Sequence, residues 1–305
     1  MSSENSGPLS QKIGFIGPGN MAKAICEGMV RQGLVDYSQI YVSGPHEKSL
    51  VYWRAQGAKT THQNGKLAEE VDVIFLCVKP HVLPEAIADI YKTSSPYRIV
   101  GKLFISILAG VTIAALENTL MGFEGSRVVR VMTNTPLMVG EGCTAYCPGQ
   151  VAIDEDIALV RRIFEVSGVC NLVPESMFDA ICGIAGSGPA FIYLVIEALS
   201  DGAVKNGIPR EMATKLAAQT VLGASKMVLE TGRHTGTLKD EVCSPSGTTI
   251  SGVHVLEQHG VRAAFMDAVE AATSRSAELS KTKETKTSVS RHGSIKTPMM
   301  SKPVL

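Results

Sequence analysis

The stretch "KIGFIGPGNMAKAI", residues 12–25, joins a short apolar run to a helical pattern through Gly17-x-Gly19-x-x-Ala22. Gly17 permits a tight turn, Gly19 lets the backbone approach a pyrophosphate, and the small Ala22 lets helix and strand pack closely. The helix that follows points its free N–H groups and the positive end of its dipole at the phosphates. A glycine pattern alone is a weak signal. Its position directly after a strand and directly before a helix, at the head of an α/β pattern, makes it a dinucleotide loop.

Outward from this loop, short β-type runs at 12–16, 39–43, 71–78, 103–107 and 128–132 alternate with helical patterns at 21–32, 47–56, 84–91 and 112–116. Several of the runs are apolar without alternation, as strands covered on both faces must be. A strand at 143–147, a helix at 155–166 and the run "CNLVP" (170–174) extend the series. Beyond Pro174 every periodic segment reads as helix: one opening at Gly188-Pro189 and stopping at Gly207, then 210–231, 247–258 and 261–281. Proline suits a first helical turn and glycine a helix end. The expected fold class is therefore α/β. A Rossmann-type, doubly wound parallel sheet over 12–174 is followed by an all-helical domain over 175–280. A flexible segment, 1–11, precedes them, and a basic, Ser/Thr-rich tail without periodicity, 281–305, is expected to be disordered.

One helix adds a functional expectation. Phe191, Ile192, Tyr193, Leu194, Val195 and Ile196 make it apolar nearly all round. Such a helix must be buried on every side. A domain of about a hundred residues has few such places, so a second subunit is expected to supply part of the cover. The alternative is the central helix of a monomeric bundle.

Composition narrows the partners. The chain has 305 residues, long enough for two domains, with 19% charged residues and a formal net charge of zero. A balanced charge without a basic stripe argues against nucleic acid or an anionic membrane as the partner. The apolar runs "VIFLCV" and "LFISILAGV" are too short to span a bilayer. Seven scattered cysteines read as reduced core residues, and Cys143 and Cys147 lack the histidine or second pair a zinc site needs. No metal is expected. "MSSENSGPLSQ" lacks the apolar region of a secretory signal and, with Glu4 and no arginine, the character of a presequence. The expected compartment is the cytoplasm, with the mitochondrion as the alternative.

The dinucleotide itself is less determined. NAD-binding folds generally carry an acid at the tip of the second strand for the ribose 2′-hydroxyl. Here "IYVSGPHEKS" ends on Ser43 and Gly44, with His46 and Lys48 close by, which suits a 2′-phosphate. Glu47 or a backbone group serving the ribose is the competing reading, so NADPH is favoured and NADH stays open. A second loop, "CSPSGTTISG" (243–252), runs into a helix in the same way as the first and could wrap another anion. Thr249 is there either a reactive-site hydroxyl or a plain helix cap.

Together "GFIGPGNMA", "CVKPH", "AGVT", "VMTNTP", "GSGPAF" and above all "LKDEVCSPSGTTISGVHVLE" resemble the pyrroline-5-carboxylate reductase family over residues 12–278. The resemblance implies a two-domain reductase that passes a hydride from NAD(P)H to the cyclic imine 1-pyrroline-5-carboxylate, giving L-proline. It also implies a helical domain that interlocks with a second subunit into a homodimer, with a larger ring as a further option. By the same resemblance the cofactor would touch Ile16, Gly17, Pro18, Gly19, Asn20, Met21, Gly44, Asn64, Cys77, Val78, Lys79, Pro80, Ile107, Leu108 and Ala109. The substrate would touch Glu175, Ser244, Thr248 and Thr249. Thr249 is the expected catalytic residue, its hydroxyl bonded to the ring nitrogen. Three positions depart from the family pattern. Pro18 has no N–H, and Gly44 replaces a residue whose hydroxyl helps bind a 2′-phosphate. Ser246 replaces a usual glycine, which leaves open the loop's φ angle.

Two rivals stand beside this reading. A β-hydroxyacid dehydrogenase would place a catalytic lysine just past the cluster Gly183, Gly186, Gly188, whereas the next lysine here is Lys205. A non-catalytic sensor of the NADP(H) ratio would need the first loop and not the second.

Overall fold

This computed structural model describes residues 7–289. Its strands are β1 (Ile13–Ile16), β2 (Ile40–Ser43), β3 (Lys59–Thr61), β4 (Val73–Leu76), β5 (Leu103–Ser106), β6 (Arg127–Met132), β7 (Gly142–Pro148) and β8 (Gly168–Leu172). They form one eight-stranded sheet in the order β3-β2-β1-β4-β5-β6-β7-β8. The helices between them are α1 (Asn20–Arg31), α2 (Glu47–Ala55), α3 (Asn64–Glu70), α4 (Leu83–Thr93), α5 (Ile113–Leu120) and α6 (Asp154–Glu165). The chain reverses its winding at β1, which has β2 on one side and β4 on the other, with Ile16 level with both Ser43 and Leu76. Three carboxyl strand ends therefore lie side by side, which is where open α/β sheets hold ligands.

The non-alternating strands are covered on both faces: every residue of β1, β2, β4 and β5 is buried. One face packs Phe15 against Phe75 and Trp53, with ring centroids 4.9 and 5.7 Å apart. The other buries Ile74, Phe104, Ile90 and Leu116. The sheet is parallel from β3 to β6, as expected of a doubly wound fold, and changes direction beyond it. β7 runs antiparallel to β6, and β8 follows β7. A parallel return needs a long crossover. The link from Met132 to Gly142 is instead a short loop holding the 3-10 turn Thr135–Val139.

Among the described residues after Leu172 only helices follow: α7 (Phe178–Ile181), a π-helical turn over Cys182–Gly186, then α8 (Gly188–Lys205), α9 (Arg210–Thr231), α10 (Thr235–Val242), α11 (Thr248–Gln258) and α12 (Val261–Val289). The segment around α8 is not buried within its own chain. Tyr193 and Leu194 are 61% and 65% exposed, as are many apolar residues of α9 and α11. The helical run Glu175–Lys205 is, by length and composition, apolar enough to cross a bilayer, a match the shorter runs read from sequence did not suggest.

Both ends differ from expectation. Residues 7–11 are anchored: Leu9 is buried, its N–H donates to the Leu34 carbonyl, and Gln39 Nε2 donates to the carbonyls of Leu9 and Gln11. At the other end α12 continues to Val289, past the expected boundary at residue 280. Extending a formed helix requires no new nucleus, so a polar sequence can follow a packed one. The remainder of the tail expected to be disordered, 290–305, lies outside the described residues.

Candidate functional site

The dinucleotide loop is built by its own domain. Gly17 has φ 104°, and a Cβ there would stand 2.7 Å from the Cys77 carbonyl oxygen. Its N–H donates to the Ser43 carbonyl at 3.0 Å, and the Cys77 N–H donates to the Ile16 carbonyl at 2.8 Å. Trp53 Nε1 of α2 donates to the Pro18 carbonyl at 3.2 Å, so the proline that lacks an N–H is held through its oxygen. Gly19 caps α1 with no side-chain hydrogen bond, and the first turn of α1 carries no acid. A Cβ on Gly19 would meet nothing within 4 Å. An open space in front of uncapped helix N–H groups fits a pyrophosphate.

The two departures at Pro18 and Gly44 are one feature. A Cβ at Gly44 would lie 2.8 Å from Pro18 Cγ, so the ring of Pro18 occupies the room that a side chain at 44 would need. Beside them Ile16, Gly17, Ser43, Gly44, Asn64, Val78 and Ala86 line a cleft of about 190 Å³. Asn64 is tied down on all sides. Its Oδ1 accepts from Ser43 Oγ at 2.7 Å, its Nδ2 donates to the Ala86 carbonyl, and its N–H donates to Asp89. Glu47 is engaged elsewhere: its carboxylate meets Arg54 Nη1 at 2.6 Å and His62 Nε2 at 3.3 Å. His62 Nδ1 lies 2.8 Å from the Gly44 carbonyl, a bond that the ring's N–H donates. Glu47 is thus not aimed freely at a ribose, while His46 and Lys48 are exposed.

On the far side of β1 lie the segments after β4 and β5. Lys79 is exposed, and Pro80 opens a single 3-10 turn. Desolvation pushes the Cys77 thiol well above its ordinary value, so it stays protonated and inert. The Ile107 N–H donates to the Leu76 carbonyl at 3.3 Å; Leu108 is buried and Ala109 exposed. Ile16, Gly17, Gly44, Asn64, Cys77, Val78 and Ile107 therefore gather along one edge of the sheet, with Asn20 and Met21 opening α1 beside them.

The second loop is made differently. Ser246 has φ 57° and is the one non-glycine residue with positive φ among those described. The serine adopts the left-handed turn that a glycine would take, at a cost of about 1 kcal/mol or more. The cap of α11 is Gly247, without a side-chain hydrogen bond, so Thr249 is not the cap but a residue of the first turn. No hydrogen bond to the hydroxyls of Ser244, Thr248 or Thr249 exists among the described residues, and Ser244 and Thr248 are exposed. The backbone bonds of this loop, from Cys243 to Asp240, Gly247 to Ser244 and Ser251 to Gly247, are all local. Hydroxyls and N–H groups at a helix start suit a small carboxylate.

Glu175 is bonded to other elements. Its Oε1 accepts from Arg130 Nη1 and from the Ile113 N–H, both at 2.7 Å. Arg130, absent from the sequence reading, is buried in β6 with its guanidinium 4.5 Å from the Phe178 ring centroid. A charge inside a strand covered on both faces was the signal that could have found it. Among the described residues no cluster of three or more His, Cys, Asp or Glu side chains is placed to hold a metal ion.

Comparison with known proteins covers both halves of the chain. The family described as pyrroline-5-carboxylate reductase dimerisation matches residues 175–279, and that described as NADP oxidoreductase coenzyme F420-dependent matches 12–110. The chain is 46% identical to the pyrroline-5-carboxylate reductase of Methanosarcina acetivorans, covering 89% of this chain and 99% of the relative. It is 41% identical to pyrroline-5-carboxylate reductase 3 of Rattus norvegicus, covering 92% and 100%. Among solved structures, the Plasmodium falciparum pyrroline carboxylate reductase with NADP bound superposes with a TM-score of 0.80 at 32% identity, covering 90% and 100%. The exposed apolar face of α8 falls inside the residues that match the dimerisation family.

Proposed function

The chain belongs to the pyrroline-5-carboxylate reductase family, and on that premise we propose that it reduces 1-pyrroline-5-carboxylate to L-proline with NADPH, at a site shared by two chains. The observation that carries the shared site is the second loop's local bonding: among the described residues its hydroxyls and first-turn N–H groups engage no partner. They are presented beside apolar helix faces that a second copy must cover.

The turn Gly17–Gly19 and the start of α1 hold the pyrophosphate, the cleft at Gly44 and Asn64 the adenosine end, and the segments after β4 and β5 the nicotinamide end. Bound there, the reduced cofactor would supply the hydride that turns the CH of the protonated imine into the ring CH2 of proline. His46 and Lys48 stand nearest the position of a 2′-phosphate and favour NADPH over NADH. Across the interface, Ser244, Thr248 and the N–H groups of α11 bind the substrate carboxylate. The Thr249 hydroxyl accepts from the protonated ring nitrogen, orienting the ring and keeping the nitrogen protonated. Purified protein should oxidise NADPH only when pyrroline-5-carboxylate is added, and NADH more weakly. Cofactor binding without substrate-dependent oxidation would refute the reading.

A further inference from the structure

Glu175 lies where three parts of the molecule meet. It opens the helical half, just after β8. Its Oε1 takes the first N–H of α5, the helix that follows the loop 107–112, and the guanidinium of Arg130 on β6. Arg130 is itself locked, with its side chain 5% exposed and its guanidinium over Phe178 of α7. A carboxylate at a helix start is favoured by the helix dipole. A carboxylate held by a buried guanidinium is also fixed in position, because removing Glu175 would strand the buried charge of Arg130. The loop 107–112 is thus pinned at its far end by a contact from another domain. Its near end is pinned by the Ile107 N–H bond to Leu76.

The direction of the cofactor across the sheet gives this pin a function. With the adenosine end at β2 and the pyrophosphate at β1, the nicotinamide reaches β4 and β5, against the loop 107–112. We infer that Arg130 is a positioning residue for the reaction: by fixing Glu175 it sets the place of this loop, and so the height and tilt of the nicotinamide under the substrate. The inference rests on the proposed reductase reading. It asks little of binding, since the phosphates are held elsewhere, and much of hydride transfer, where a misplacement of about 1 Å can cost about 100-fold.

The test uses the full chain in two variants. Arg130→Lys keeps the charge and loses the planar fork. The pair Arg130→Met with Glu175→Gln removes both charges and strands neither. NADPH affinity, kcat, the isotope effect on kcat with NADPH deuterated at the transferred position, and the unfolding midpoint are measured for each. Arg130→Lys is expected to lower kcat about tenfold or more, with a raised isotope effect and NADPH affinity within about threefold. The double variant should recover the unfolding midpoint without recovering kcat. A double variant that regains kcat along with stability would reduce Arg130 to a structural role, as would NADPH affinity lost in step with kcat. If Arg130→Lys fails to fold, the double variant decides alone. Absence of substrate-dependent NADPH oxidation by the unaltered protein would instead sink the reductase reading, and this inference with it.

Discussion

Two helix starts in this molecule offer N–H groups to an anion, and they are prepared in opposite ways. At α1 the turn is embedded: Gly17 is buried against Cys77, Pro18 is held by Trp53, and Gly44 is cut back to make room for the Pro18 ring. At α11 the turn is exposed, bonded among the described residues only to itself and the adjoining helix ends, and takes its left-handed residue as a serine. The first site is preorganised by the core of its own domain. The second, on the proposed reading, is finished by another chain. The contrast fits the ligands proposed for them: a dinucleotide is large enough to be held by one domain, whereas a small imino acid would take walls from two.

The largest expected effect tests the division of labour directly. Thr249→Ala should lower kcat/KM by about 100-fold or more, the range of a lost proton-handling group, while NADPH affinity, read by fluorescence titration, stays unchanged. Equal losses in both would mean that the two loops are not separate functions. Next, Gly19→Val fills the open space in front of α1 without meeting protein atoms. Losing two charge-assisted hydrogen bonds of about 1.5 kcal/mol each should weaken NADPH binding about 100-fold. The unfolding midpoint should hold, in contrast to the strained Gly17→Ala. A smaller effect is expected of Trp53→Phe. It removes the bond to the Pro18 carbonyl, worth about 1 kcal/mol, and should loosen NADPH about fivefold. Unchanged affinity would show that the proline ring alone sets the turn. Smallest of all is Ser246→Gly. Relief of about 1 kcal/mol of strain is offset by glycine's greater loss of freedom on folding, so substrate KM should move less than about threefold. A tenfold rise would show that the Ser246 hydroxyl itself touches substrate.

The embedded site was also the more legible one. A strand, two glycines, a small residue and a helix lie next to one another in sequence, and their spacing is their geometry. The strands around them could be read because burial on both faces removes alternation. What escaped the sequence was made by contacts between distant residues or by elements too short for a period. β3 has three residues, two of them threonine. The reversal of β7 depends on how short a loop is. The clamp of Arg130 on Glu175 spans 45 positions, and only the oddity of an arginine inside a covered strand hints at it. At the second loop the motif was visible, and so was the oddity of Ser246. Which surface completes that loop was not visible, because its bonds are local and nothing in its own spacing points to a neighbour.

The central claim is that one site takes its first loop from one chain and its second from another. Mixed oligomers of Gly19→Val and Thr249→Ala chains test it most directly, each variant alone being nearly inactive. In a random mixture half the dimers are mixed, and one of the two sites in each mixed dimer joins an intact first loop to an intact second loop. The account predicts recovery of about a quarter of the unaltered activity. A mixture no more active than the variants alone would place both loops of each site in a single chain and contradict it.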